Sequence, residues 1–185
     1  MIIAEKEGAI LRYARKDDMS QIDEITIICY TPIHESWVAI QSEEIYEALK
    51  DPNKTWEDKK TGQNHELFAE HPDWVWVLEK NSQIIGFVTF KIINIVAGKK
   101  LGIIENNGVF PEHAGTGWGK FMYRHVLKHF RDQGLHVAFL ETGLDDSHIP
   151  ARRAYEAVGF DKMAPVAYYW QDLRMNNPGS TTEEK

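Results

Sequence analysis

Gly115-Thr116-Gly117-Trp118-Gly119-Lys120 carries a glycine at every second position, between an apolar run ending at Phe110 and a segment with Phe121, Met122, Val126 and Phe130 at helical spacing. A strand, a glycine-rich turn and a helix start in that order make an anion site. The first backbone N–H groups of a helix have no intrahelical partner, and the helix dipole favours negative charge there. Glycines let the main chain approach a phosphate without side chains intervening. The ATP-type loop needs glycine at position 114 and Ser or Thr at position 121, where this chain has Ala114 and Phe121. The dinucleotide fingerprint needs a third glycine where Lys120 stands, so that reading fails as well.

Other residues have types suited to chemistry. Tyr155 is a neutral phenol able to donate a proton at physiological pH, although its spacing with Ala151 and Val158 taken alone reads as a packed helix face. Glu105, Asn106 and Asn107 are polar residues inside an otherwise apolar strand. Strict alternation puts Glu105 and Asn107 on one face and Asn106 on the other. His34 has the pKa range to accept an amine proton, with Glu35 and Trp37 beside it. His125 and His129 have helical i, i+4 spacing but no glutamate after His125, so they read as a solvated face and no metal is expected.

Two blocks together resemble one family. Pro111-Glu112 followed by Gly117-Trp118-Gly119 resembles the coenzyme A pyrophosphate loop of the GNAT acyl-CoA N-acyltransferases, with Ala114 in place of the usual Arg or Gln. Ser147 to Phe160, SHIPARRAYEAVGF, resembles the family's later motif, with His148 in place of its Asn. The resemblance covers residues 74 to 172 best. It implies an N-acetyltransferase that moves an acetyl group from acetyl-CoA to a primary amine by direct attack in a ternary complex. It implies cofactor contacts from Val109, Phe110, Ala114, Gly115, Thr116, Gly117, Trp118, Gly119, Lys120, His148, Ala151 and Tyr155. It implies a Val109 N–H that polarises the thioester carbonyl, Tyr155 as donor to the leaving thiolate, and Glu105 as general base. His34, Glu35, Trp37 and Asn107 are the expected acceptor contacts. A non-catalytic acyl-CoA sensor on the same fold is the second reading, prompted by Ala114 and His148.

The elements that must position these residues follow from pattern. The expected fold is α/β: a GNAT-like mixed central sheet with antiparallel N-terminal strands and helices on both faces. Ala9 to Ala14 reads as the first strand. A helix capped by Asp17 or Asp18 carries Met19, Ile22, Ile25 and Cys29 in the core and ends at Thr31-Pro32. Ser42 caps a second helix, and residues 53 to 71 are partly helical. Strands from Trp74 and from Ile84 flank a turn at 80 to 83, and a third spans Leu101 to Val109. The loop helix stops at Gly134. Leu135 to Thr142 returns as a parallel strand, Pro150 opens a helix that ends at Gly159, and Ala167 to Trp170 is the last strand.

The chain has 185 residues, 43% of them hydrophobic and 26% charged, so one domain over residues 1–175 is expected, with a frayed tail at 176–185. A net charge of −7 argues against nucleic-acid binding. The single cysteine suits a reducing compartment, and no apolar run reaches membrane-spanning length. The start MIIAEKEGAI does not read as a signal peptide, so a cytoplasmic protein is expected, with a small-molecule or peptide amine acceptor and no membrane partner. A homodimer is compatible with this reading.

Overall fold

The computed structural model describes residues 1–174. The expected tail at 176–185 lies outside them. Strands β1 (Ile2–Lys6), β2 (Ala9–Tyr13), β3 (Val75–Lys80), β4 (Gln83–Asn94), β5 (Lys100–Val109) and β6 (Val137–Phe139) form one sheet in sequence order. The first five pair antiparallel, and β6 joins β5 in parallel. Helices α1 (Met19–Gln41), α2 (Glu43–Leu49) and α3 (Trp56–Glu70) precede β3; α4 (Trp118–Asp132) crosses between β5 and β6, and α5 (Ile149–Glu156) follows. This is the expected mixed α/β architecture.

Two cores sandwich the sheet. On one face Ile22 and Ile25 of α1 and Leu67 of α3 bury against Val75, Val77 and Phe87. On the other, Met122, Val126 and Phe130 of α4 bury against Trp76, Leu78, Val88 and Phe90. Burial of each such side chain contributes on the order of 1.5–3 kcal/mol. Helix α4 forms because its apolar residues recur at every fourth position, and it ends where Gly134 turns left-handed (φ 75°) and Leu135 N–H bonds the Phe130 carbonyl at 2.9 Å. Helix α3 starts on a reciprocal cap: Thr55 Oγ1 accepts from Asp58 N–H at 3.1 Å and Asp58 accepts from Thr55 N–H at 3.0 Å.

The structure corrects several expectations. Strand β1 precedes the one foreseen as first. Helix α1 does not stop at Pro32 but runs through it to Gln41. Its second half is held from outside: His34 stacks on Trp56, Ser36 Oγ donates to Asp145 at 3.1 Å, and Trp37 meets Tyr168 and Trp170 edge-on. These contacts outweigh the roughly 3 kcal/mol local cost of a proline within a helix. Asp18 occupies the N-cap of α1 but does not cap it. Its carboxylate takes the Arg12 guanidinium at 2.7 and 2.9 Å and the Arg15 N–H at 2.6 Å. Burial alone would raise the Asp18 pKa, yet those bonds hold it below the usual range. Ser42 precedes α2 with φ 77° and makes no capping bond. Strand β6 has three residues, and beyond Phe139 no strand occurs among the described residues. The foreseen strand at Ala167 to Trp170 is instead a segment whose Tyr168 and Trp170 pack on Trp37.

Candidate active site

The site lies where β5 and β6 part. Their pairing ends at Ile103 with Phe139, so the C-terminal half of β5 faces a gap. Phe110 N–H bonds the Ile85 carbonyl at 3.0 Å and Val109 pairs with Gly86. By the alternation of an antiparallel ladder, the polar groups of Val109 and Asn107 therefore point away from β4 and into the gap. Two contacts agree. The Cys29 thiol donates to the Val109 carbonyl at 3.3 Å, and the Asn107 N–H donates to the Tyr30 hydroxyl at 3.3 Å. The Val109 N–H is the donor left facing the gap.

A β-bulge shapes the same strand. Asn107 pairs with Val88 and Ile104 with Phe90, so Glu105 and Asn106 together oppose the single residue Thr89. Alternation is broken there. Asn106 and Glu105 both fall on the α1/α3 side, and Asn107 alone faces α4 and α5, which overturns the expected pairing of Glu105 with Asn107. Glu105 is ion-paired with Lys91 at 3.0 Å. Asn106 is locked in a buried network: its Nδ2 donates to Asn64 Oδ1 at 2.9 Å, Asn64 Nδ2 to Thr26 Oγ1 at 3.0 Å, and Thr89 Oγ1 to the Asn106 carbonyl at 3.0 Å. That network fixes the bulge to both packed helices.

Asn107 faces two tyrosines. Its Nδ2 donates to the Glu105 carbonyl at 2.9 Å and to the Tyr155 oxygen at 3.2 Å, while Tyr123 O–H donates to its Oδ1 at 2.6 Å. The Tyr123 and Tyr155 rings are 5.0 Å apart, and both residues are buried. Burial pushes the Tyr155 phenol up, and the bond from Asn107 partly opposes it. Tyr123 and Tyr30 are pushed higher by burial. Tyr123 was not singled out in the sequence, although it lies one turn beyond Gly119 on the same side of α4. Cys29, read there as a core residue remote from the chemistry, reaches the strand end, and burial pushes its thiol up.

The glycine loop leads into α4. Gly115 and Gly117 have φ of 75° and 93°, and Gly117 caps α4 with no side-chain bond. The N–H groups of Trp118, Gly119 and Lys120 therefore stand free of a side-chain cap. No atom lies within 4 Å of a Cβ built on Gly115, so the main chain there faces open space. Ala114 is extended and adds no side-chain donor. Thr116 Oγ1 is spent on the His113 carbonyl at 2.6 Å. The Trp118 side chain is buried, with Lys6 and Lys80 over its ring at 5.0 and 5.4 Å. These features fit a pyrophosphate at the loop and an amide-bearing chain along β5.

The remaining foreseen residues separate. Phe110 is buried in the α1/α3 core. His148 Nδ1 meets Asp145 Oδ2 at 2.7 Å, in a cluster that also takes Ser147 and Ser36. Those bonds outweigh the opposing effect of burial and hold Asp145 at a pKa of about 2. Ala151 packs against the α4-side core. His34 lies between Trp56 and Tyr46, Trp37 against the C-terminal aromatics, and Glu35 is exposed, so these three do not converge on one point. His125 Nδ1 bonds the Phe121 carbonyl at 2.9 Å and His129 packs on Trp76 and Phe90. Among the described residues no metal-ligating cluster occurs, and no helix is long and apolar enough to cross a membrane.

Comparison with known proteins agrees with this geometry. Residues 42–160 match the model of the acetyltransferase (GNAT) family. The mycothiol acetyltransferase of Thermomonospora curvata is 28% identical over 149 residues, covering 80% of this chain and 48% of that protein. The chain spans about half the length of the two mycothiol acetyltransferases it matches, 48% and 45%. The L-amino acid N-acyltransferase MnaT of Escherichia coli is 26% identical over 152 residues, 81% of this chain and 78% of that one. Among solved structures, a predicted acetyltransferase from Clostridium acetobutylicum with acetyl-CoA superposes with TM-score 0.58 at 18% identity, covering 87% of this chain and 95% of that one. An aminoglycoside acetyltransferase from an uncultured soil metagenomic sample gives 0.60 at 15% identity, covering 91% and 98%. These structural likenesses bear on the fold alone; the family model spans more than half of the chain, and the chain belongs to the GNAT family of acetyltransferases.

Proposed function

We propose that this protein transfers an acetyl group from acetyl-CoA to a primary amine within a ternary complex. The observation that carries the reading is the gap beside β5, where a free backbone donor at Val109 and the Tyr155 hydroxyl flank the route leading from the uncapped N-terminus of α4. Bound acetyl-CoA supplies the thioester that the amine attacks. Backbone N–H groups of 117–120 hold its phosphates, with Lys120 adding charge, and the polar edge of β5 takes its amide-bearing arm as a surrogate strand. The Val109 N–H donates to the carbonyl oxygen as negative charge builds on it. Tyr155 protonates the departing sulfur. Glu105, on the α1/α3 side of the bulge, is the carboxylate available to receive the amine's proton through water. The acceptor enters beside α1, past His34 in one aromatic cluster and Trp37 in another. Relatives named for an L-amino acid and for mycothiol, and a neighbour named for aminoglycosides, suggest small amines as the first panel.

The test is acetyl-CoA-dependent thiol release with that panel. Intersecting initial-velocity lines are expected, and parallel lines would replace the ternary complex with a covalent intermediate. Thermal stabilisation by coenzyme A without release for any amine would favour a sensing module.

A further inference from the structure

The hydrogen bonds around Asn107 have a fixed direction. A carbonyl oxygen only accepts, so the atom of the Asn107 amide that is 2.9 Å from the Glu105 carbonyl is Nδ2. The remaining Nδ2 hydrogen then points at the Tyr155 oxygen, 3.2 Å away. The amide oxygen is left for Tyr123, whose O–H donates to it at 2.6 Å. Each polar atom of the amide is committed. One consequence reaches the site: the Tyr155 oxygen accepts from Asn107, which leaves its own hydrogen to be given elsewhere. We propose that Asn107, pinned by the Glu105 carbonyl and Tyr123, is a positioning residue that sets the direction in which Tyr155 donates. The inference rests on the reading of Tyr155 as the proton donor to the leaving sulfur.

In the step itself the amine nitrogen forms the new C–N bond with its lone pair and the C–S bond breaks with its pair going to sulfur. Sulfur takes the Tyr155 proton. The phenolate that remains is held by the Asn107 N–H until a proton shed by the amine returns to it through solvent. Asn107 therefore serves twice: it keeps the hydroxyl hydrogen free before the transfer and stabilises the anion after it. Burial opposes that anion, and the Asn107 bond opposes burial.

The test uses the intact enzyme under conditions where chemistry limits the rate. Asn107→Asp keeps the shape but presents oxygen where Nδ2 stood, so the Tyr155 hydroxyl turns to donate to the carboxylate. It should lower kcat about 10²-fold, the loss also expected of Tyr155→Phe, with little change in the KM for acetyl-CoA. The double variant should lie within about threefold of Tyr155→Phe alone, because both changes remove one function. The loss from Asn107→Asp should also shrink with an acetyl thioester of an acidic aryl thiol. Tyr123→Phe, which keeps the packing, should give a smaller loss that disappears in the Tyr155→Phe background. Losses that multiply in the double variants, or that are insensitive to the leaving thiol while Tyr155→Phe remains impaired, overturn the role given to Asn107. Undiminished kcat in Tyr155→Phe overturns instead the donor reading beneath it.

Discussion

Replacing Gly102 with alanine should destabilise the protein by about 3 kcal/mol through a single contact. A Cβ built at Gly102 falls 2.5 Å from Phe130 Cδ2 and Cε2 and 2.7 Å from Cγ, whereas ordinary contact begins at 3.4 Å. Close to 1 Å must therefore be found. Spinning the ring about its own axis does not help, because Cγ lies on that axis. The strand cannot retreat, since Gly102 pairs with Ile92 on one side and Ala138 on the other. Phe130 is 2% exposed and stands edge-on to Phe90 at 5.4 Å, so its ring has no vacant rotamer to enter. Helix α4 must back off, which places the cost at the upper end of the 1–3 kcal/mol usual for overpacking. For a domain of this size that is about 6–12 °C in Tm. Phe130→Leu, costly alone, should partly rescue Gly102→Ala, with a coupling above 1 kcal/mol in a double-mutant cycle read by urea unfolding. Coenzyme A affinity should fall too, because the α4 N-terminus moves with the helix. A Tm within about 2 °C of the parent, or strictly additive effects, would refute the close contact between β5 and α4.

Gly117→Val should abolish most coenzyme A binding by calorimetry in a folded protein, since φ 93° strains any β-branched residue and its side chain covers the cradle; unchanged affinity would remove the phosphates from this loop. Asn64→Ala deletes two buried hydrogen bonds that anchor the bulge and should cost about 2–4 kcal/mol in urea unfolding, with kcat lowered more than the KM for acetyl-CoA. Asp145 has a pKa of about 2 in the folded protein against an ordinary value of 3.8, so the unfolded chain binds its proton first and stability falls as pH drops from about 4 to 2. Asp145→Asn should be less stable than the parent at pH 7, and the gap should close over that interval; an equal gap at pH 7 and pH 2 would sink the assignment. His34→Ala should raise the KM for the amine without altering coenzyme A affinity, and equal loss of both would return His34 to the scaffold.

The parts of the site legible in the sequence are those whose geometry is local. Glycine at alternate positions ahead of an apolar helix has few other uses, and Gly117 takes the left-handed conformation that only such a residue accepts cheaply. The helix of Tyr155 is equally local, opened by Pro150 and followed by Gly159 at φ 105°. What escaped depends on distant chain. Pro32 reads as a stop until His34, Ser36 and Trp37 find partners between 20 and more than 100 residues away. Cys29 reads as one more residue of a core stripe, and Tyr30 draws no reading at all, because nothing local says that β5 lacks a neighbour there. The segment at Ala167 is an aromatic run of strand-forming residues, yet β6 offers only three residues as a template. The inversion at Glu105 and Asn106 has no sequence mark at all: it is imposed by Thr26, Asn64 and Thr89, each on a different element.

That inversion lets β5 present two consecutive side chains, Glu105 and Asn106, to the same pair of helices. Ahead of the bulge, Gly102 and Ile104 look toward α4; beyond it, Asn107 does, and Gly108 looks back toward α1. The strand changes parity once, so the two ends count from different origins. Conservative exchanges between Ile104 and Asn107 leave that count intact. Removing one residue there would restore regular pairing with Ile104 still opposite Phe90 and Asn107 still opposite Val88: Tyr155 would keep its partner, and the α1/α3 face would lose either the Glu105–Lys91 pair or the Asn106 network. A deletion within the bulge should therefore loosen the anchor to α1 and α3 while leaving the Asn107–Tyr155 contact in place.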